Sequence, residues 1–346
     1  MDRQPGIRDR TGADRLAGGR AGFLLLCSAP LLASAALALF FYREFLPLSF
    51  LGHDTYPLVL ASRVRDFSDF GGTFTEEMLD GRFTGGHFYR PVLNLSVALD
   101  HALHGLTARG YHLTDLLLAA VCAFLLARLA SGPCARRLSL AGVFAGLFFL
   151  SHPVHLNILP VLARRADTLV LLFVLLVLLS SELGGRKGIW LPAIFSLLAA
   201  GSKESGAIAP FLLLAARLLS PGESNLARIR KAAGAALPSF GALLLFLLAR
   251  HAVLGGAGGR GPLALGDFLA HAASILPAFQ RMTYYPYPLF ERVLPTPVAR
   301  VSLLLLFVVF SLFLFRRPRA RAAAILAWVW LLLGWGVHGF SQALFP

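Results

Sequence analysis

The sequence predicts an all-α, polytopic membrane protein, and three observations carry that prediction. Of the 346 residues, 57% are hydrophobic and only 14% are charged, where a soluble domain carries about 25% charged residues. Apolar runs approaching the roughly 20 residues that cross a bilayer recur along the whole chain. The basic residues gather in short turns between those runs, and these turns all fall on one side if the N-terminus is cytoplasmic, as the positive-inside rule requires. The net charge of +14 therefore reports orientation in a lipid bilayer. No nucleic-acid partner is expected, because no soluble domain is there to carry a basic patch. Cys27, Cys122 and Cys134 lack zinc-ligand spacing and read as small apolar residues.

Residues 1–21 read as a polar, arginine-rich cytoplasmic arm. The run 22–42 is too long for a signal-peptide core and reads as the first span. A large outer loop, 43–108, follows. Within it, 57–64 suits a short amphipathic helix lying on the membrane, and Gly71-Gly72 and Gly85-Gly86 read as breaks. The stretch PVLNLSVALDHALHGL, 91–106, is apolar but interrupted by Asn94, Asp100, His101 and His104, which suits an interfacial or re-entrant segment. Further spans are expected at 111–129, 138–150, 168–183, 189–200, 206–219, 238–254, 298–315 and 322–337, giving about nine in one transmembrane domain, 22–346. The turns near 136, 186, 230 and 318 are then cytoplasmic. The loop 43–108, SHPVHLNILPVLARRAD, GSKES and a second long loop, 255–297, share the outer face. No internal repeat of fixed period is present.

The polar features converge on that face. Asp54, directly after His53, could take a proton from a hydroxyl. It could equally cap a helix starting near Tyr56-Pro57. Arg90, in FYRPVLN, offers a planar fork suited to a phosphate oxyanion, or snorkels at the interface beside Tyr89. His152 and His155 could ligate a metal, although Pro153 between them weakens the case. Arg164 and Arg165 beside Asp167 could form a structural ion pair at the start of the fourth span. Lys203 and Glu204 could be a neutralised pair at membrane depth, or the lysine could reach a phosphate. GGAGGRG, 255–261, lacks the Lys-Ser/Thr of a phosphate loop and reads as a flexible linker.

In this order, Asp54 after the first span, FYRPVLNLSVALDHALHG, YHLTDLLLAAV, FFLSHPVHLNILPVLARRADTL, SKESGAIAP and RMTYYPYPLFERVLP resemble the GT-C membrane glycosyltransferases. The nearest likeness is to the protein O-mannosyltransferase group, in its TMTC-like branch and bacterial relatives, over about residues 50 to 315. The resemblance implies a GT-C-like bundle and a polyprenyl- or dolichyl-phosphate sugar donor. It implies inverting transfer of a mannose-like hexose to a protein or glycan acceptor on the extracytoplasmic face. Asp54 would be the base, and Arg90, Arg164, Arg165 and Lys203 would hold the donor phosphate. His53, Glu77, Tyr89, His152, His155, Asp167 and Glu204 would support them. The family's first loop usually carries two acids in a row; here His53 takes the first place, so reliance on a second acid or a metal stays open. No metal ligand is assigned, and a divalent metal is the one candidate cofactor. The tetratricopeptide repeats of that branch do not occur in these residues, as in a minimal relative or a truncated chain. The membrane would be the bacterial inner membrane or the endoplasmic reticulum. Two other classes remain: a lipid or solute transporter, which would favour inverted repeats, and a non-catalytic subunit that keeps the fold.

Overall fold

The computed structural model describes residues 29–79, 88–132, 137–152, 154–219 and 225–255, with short helical pieces between 309 and 333. The expected arm, the start of the first span, nearly all of the loop 255–297, and much of the eighth and ninth spans lie outside the described residues. Among those described, every regular element is helical. Two helices, Ala108–Ser131 and Asn225–Leu254, are long and apolar enough to cross a membrane, and Leu140–Ser151 and Lys187–Ser202 are shorter apolar helices.

Helix α1 covers residues 29–42. Its end is pinned to the end of a later helix by the Tyr42 hydroxyl, which donates to the Leu150 carbonyl. Two short helices follow, α2 (Thr55–Ala61) and α3 (Phe67–Thr75). The expected break at Gly71-Gly72 is not there, since both glycines lie inside α3. The reason is local. Asp66 caps the helix by accepting from the Asp69 N–H, and Arg65 and Asp69 form a pair across its first turn. These contacts offset the roughly 1 kcal/mol that each glycine costs in a helix.

Helix α4 (Pro91–His104) has 14 residues, about 21 Å, which is too short to span a bilayer. It lies across the ends of other helices and touches α2, α3, α5 (Ala108–Ser131), α8 (Arg165–Ser181) and α9 (Lys187–Ser202). Leu58 and Val59 of α2, Leu93 and Val97 of α4, Tyr111 of α5 and Leu169 of α8 form one buried cluster beneath it. The longer helices pack in the sequence α6 (Leu140–Ser151), α5, α8, α9, α11 (Asn225–Leu254), with α10 (Ala209–Leu218) against α11. A one-turn helix, α7 (His155–Ile158), sits in the α6–α8 connection. Outward faces are apolar: Leu140, Phe144 and Phe148 recur every fourth residue of α6, all well exposed, a stripe suited to lipid.

The expected span 238–254 proves to be part of a longer element. Helix α11 has 30 residues and includes Arg228, Arg230 and Lys231, which were expected in a loop. It is about 45 Å long, more than the roughly 30 Å hydrocarbon core needs, so its basic first turns can extend beyond the apolar zone. Ala232, Ala233, Ala235 and Ala236 favour the helix on the N-terminal side of Pro238.

A buried ion cluster joins α4, α5 and α8. Arg165, only 1% exposed, lies 2.6 Å from the Asp100 carboxylate and 2.5 Å from that of Asp115. It also donates to the Ser96 carbonyl and hydroxyl and to the Tyr111 carbonyl, while the Thr114 hydroxyl donates to Asp100. Removing one partner from such a cluster strands the others in a medium that cannot solvate them. Arg165→Ala should therefore cost about 3–5 kcal/mol, read as a large fall in the thermal midpoint of the detergent-solubilised protein. A midpoint unchanged from wild type would show that the cluster does not hold these helices together.

Candidate functional site

Polar side chains gather at one end of the helices, where α4 begins, α8 begins, and α9 and α11 end. Two glycines permit the approach there. A Cβ on Gly201 would come within 2.8 Å of Val92 Cγ2, and one on Gly206 would strike the Ala199 carbonyl oxygen. The close approach at Gly201 sets the end of α9 against the start of α4. The one at Gly206 lets the 3-10 turn Glu204–Ile208 fold back on α9.

This brings Arg90 to Glu204. The guanidinium donates twice to Oε2, from Nη2 at 2.8 Å and Nε at 3.2 Å, and its Cζ lies 4.5 Å over the Phe88 ring. Arg250, from the last turns of α11, donates to the other oxygen, Oε1, at 3.1 Å. The next pair along the turn is Lys203 with Asp167, Nζ to Oδ1 at 2.7 Å. Arg164 is exposed at the start of α8. Arg165, expected among the phosphate ligands, is enclosed in the ion cluster below. Burial pushes the Glu204 carboxyl up, but Arg90 and Arg250 outweigh it and hold the group below the ordinary glutamate value.

Asp54 occupies the N-cap position of α2, a helix that packs against α4. Its side chain makes no capping hydrogen bond. A Cβ placed on Gly52 would come 3.2 Å from Asp54 Oδ1 and 3.1 Å from Val161 Cγ1, so the carboxylate is half-buried beside the α7–α8 connection. Of the two roles open to Asp54, capping is the one its geometry does not use. His53 precedes it and is exposed. Tyr89 donates its hydroxyl to the Phe74 carbonyl and stacks on Phe246. Glu76 and Glu77 line a cavity of about 260 Å³ with Arg63, Arg65 and Asn94.

Each of the two histidines engages one ring nitrogen with the backbone nearby. His152 Nδ1 accepts from the Val154 N–H. His155 is buried between the Tyr42 and Phe149 rings and its Nε2 donates to the Phe149 carbonyl. Among the described residues, no group of three or more His, Cys, Asp or Glu could hold a metal ion. Sequence reasoning missed the roles of Asp100, Asp115 and Arg250. Each is an ionisable residue in a helix that is largely apolar over its length, and that was the available signal.

Among the described residues, the class that this geometry defines is an all-helical protein with two helices able to cross a membrane and a buried, charge-paired cluster at one end. No family model and no solved structure matches the chain. It is 36% identical over 119 residues to the mouse (Mus musculus) protein O-mannosyl-transferase TMTC2, and 35% identical over 118 residues to the Homo sapiens protein of the same name. Each match covers 33% of this chain and 13% of the relative, so the chain spans only a small part of the length of these curated relatives.

Burial pushes the His155 imidazole down to about 4 from its ordinary 6.5. The folded chain thus favours the neutral ring, while the unfolded chain takes up a proton first as pH falls. The stability that depends on the neutral ring is complete above about pH 6.5 and is lost progressively towards pH 4. His155→Gln keeps a donor for the Phe149 carbonyl but cannot titrate. Thermal midpoints measured from pH 7 to pH 4 should fall less steeply in this variant than in wild type; equal slopes would remove His155 as a source of acid sensitivity.

Proposed function

We propose that this chain is an integral-membrane glycosyltransferase. It moves a mannose-like hexose from a polyprenyl-phosphate-linked donor to a hydroxyl of a protein or glycan acceptor, with inversion, on the extracytoplasmic face. The observation that carries this reading is the 36% identity, over a third of the chain, with a protein O-mannosyl-transferase. Its chemistry suits the side chains. Asp54, not engaged in capping, takes the proton of the acceptor hydroxyl. That oxygen bonds to the anomeric carbon as the bond from this carbon to the phosphate oxygen breaks. The phosphate departs as a stable anion, so no general acid is needed. Arg90, with Lys203 and the exposed Arg164, faces the charge that develops on the leaving group, the most effective use of fixed cations in catalysis. Arg165 supports them from beneath by holding α4 on α8.

The test is transfer from a labelled polyprenyl-phosphate mannose by the purified protein in lipid. Asp54→Asn should fold and bind donor as wild type does, with turnover lowered about a hundredfold or more, the scale of general-base catalysis. Normal transfer by Asp54→Asn with an inactive Glu77→Gln would move the base to the Glu76-Glu77 pair. Absence of donor breakdown by wild type would favour a transporter or a non-catalytic subunit.

On this reading the bundle has about nine spans, and the loop 43–108 lies outside the cytoplasm. In a chain with its native cysteines replaced by serine, Ser68→Cys should react with a membrane-impermeant thiol reagent in intact cells, and Lys187→Cys should not. Labelling of both, or of Lys187→Cys alone, would overturn this topology.

A further inference from the structure

Arg250 belongs to none of the motifs in the outer loops, yet it shares Glu204 with Arg90. Each oxygen of that carboxylate takes one arginine, Oε2 from Arg90 and Oε1 from Arg250. Aromatic packing sets the two in register. Tyr89 stacks on Phe246, with ring centroids 5.8 Å apart. Arg90 follows Tyr89 in the chain, and Arg250 lies one turn beyond Phe246 on the same face of α11. The side chains of Arg90, Glu204 and Arg250 are only 13%, 16% and 8% exposed.

The charges of this trio do not cancel. Among the described residues, two guanidiniums face one carboxylate, which leaves +1, and the adjacent Lys203–Asp167 pair is neutral. An uncompensated buried charge is costly; the Arg165 cluster carries one too, of negative sign, but its side chains are at most 5% exposed, whereas this trio keeps 8–16% and stays open to an ion from solvent. The imbalance has the sign and size that one singly charged oxyanion would neutralise, and guanidiniums suit phosphate oxygens through their planar forks.

We propose that Arg90 and Arg250 form a paired-guanidinium clamp for a phosphodiester monoanion, with Glu204 setting their separation and limiting the charge that the site accepts. The inference rests on the glycosyltransferase reading for the lipid-linked nature of the ligand. The charge count adds Arg250 to the donor site and a means of telling the diester donor from the monoester left after transfer. A phosphodiester carries one negative charge. A phosphate monoester carries about −1.5 to −2 at pH 7, and Glu204 would repel the excess.

The experiment measures binding of polyprenyl-phosphoryl mannose, the diester, and of polyprenyl phosphate, the monoester, to the full chain in nanodiscs. Wild type should prefer the diester. Arg250→Gln should weaken diester binding about tenfold or more, as Arg90→Gln does, and Arg250→Lys should recover part of the loss. Glu204→Gln raises the local charge to +2 and should shift the preference towards the monoester by about tenfold. Thermal midpoints of the variants separate weak binding from failure to fold. If Arg250→Gln does not fold, Arg250→Lys and Glu204→Gln carry the test. Diester binding unchanged in Arg250→Gln, or an unchanged preference in Glu204→Gln, overturns the clamp and leaves the glycosyltransferase reading standing. Wild type that binds neither lipid and breaks down no donor overturns both.

Discussion

Arg165, enclosed between Asp100 and Asp115, is the constraint on which the rest of the structure depends. One guanidinium reaches carboxylates from α4 and α5 and backbone carbonyls from both helices, while its own backbone begins α8. No water-exposed alternative is available to these groups once the helices have packed. Their hydrogen bonds and ion pairs are made to one another, and that ties three helices together at one point. Apolar contacts among Leu93, Val97, Tyr111 and Leu169 fill the space around the cluster, but packing of this kind tolerates sliding far better than paired charges do.

What α4 carries follows from its position. It is too short to span a bilayer, so it serves as a platform across the helix ends. One side supports α2 and with it Asp54. The N-terminal end meets the α9 turn and brings Arg90 to Glu204 and Arg250. The acid and the paired cations are thus held by a single short element clamped from below. A shift of α4 would displace both, and the proposed transfer depends on their positions.

Much of the architecture was legible in sequence. Helices occur at the apolar segments expected near 42, 111–129, 138–150, 168–183, 189–200 and 238–254, because a run of apolar residues in a chain of this composition has few ways to satisfy its backbone other than as a helix. That 91–106 would fall short of a full span was legible too, from Asp100 and the histidines that interrupt it. Boundaries set by local charge pairs were less so. The helix through Gly71-Gly72 depends on Asp66 and on the Arg65–Asp69 pair, and the extended start of α11 depends on alanine-rich turns that also suit a loop rich in arginine.

The sequence by itself determined that the protein is helical, the order of its apolar helices and some of the charged residues that meet at the helix ends, since hydropathy and residue type are local properties of the chain. Only the tertiary structure decided what each charge does. Arg164 and Arg165 are adjacent in sequence and equal in chemistry, yet one is exposed and the other is sealed between two aspartates. Arg90 and Arg250 are 160 positions apart and share one glutamate. An ion pair is set by distance in space, and distance between residues on different helices is a property of packing that no spacing along the chain encodes.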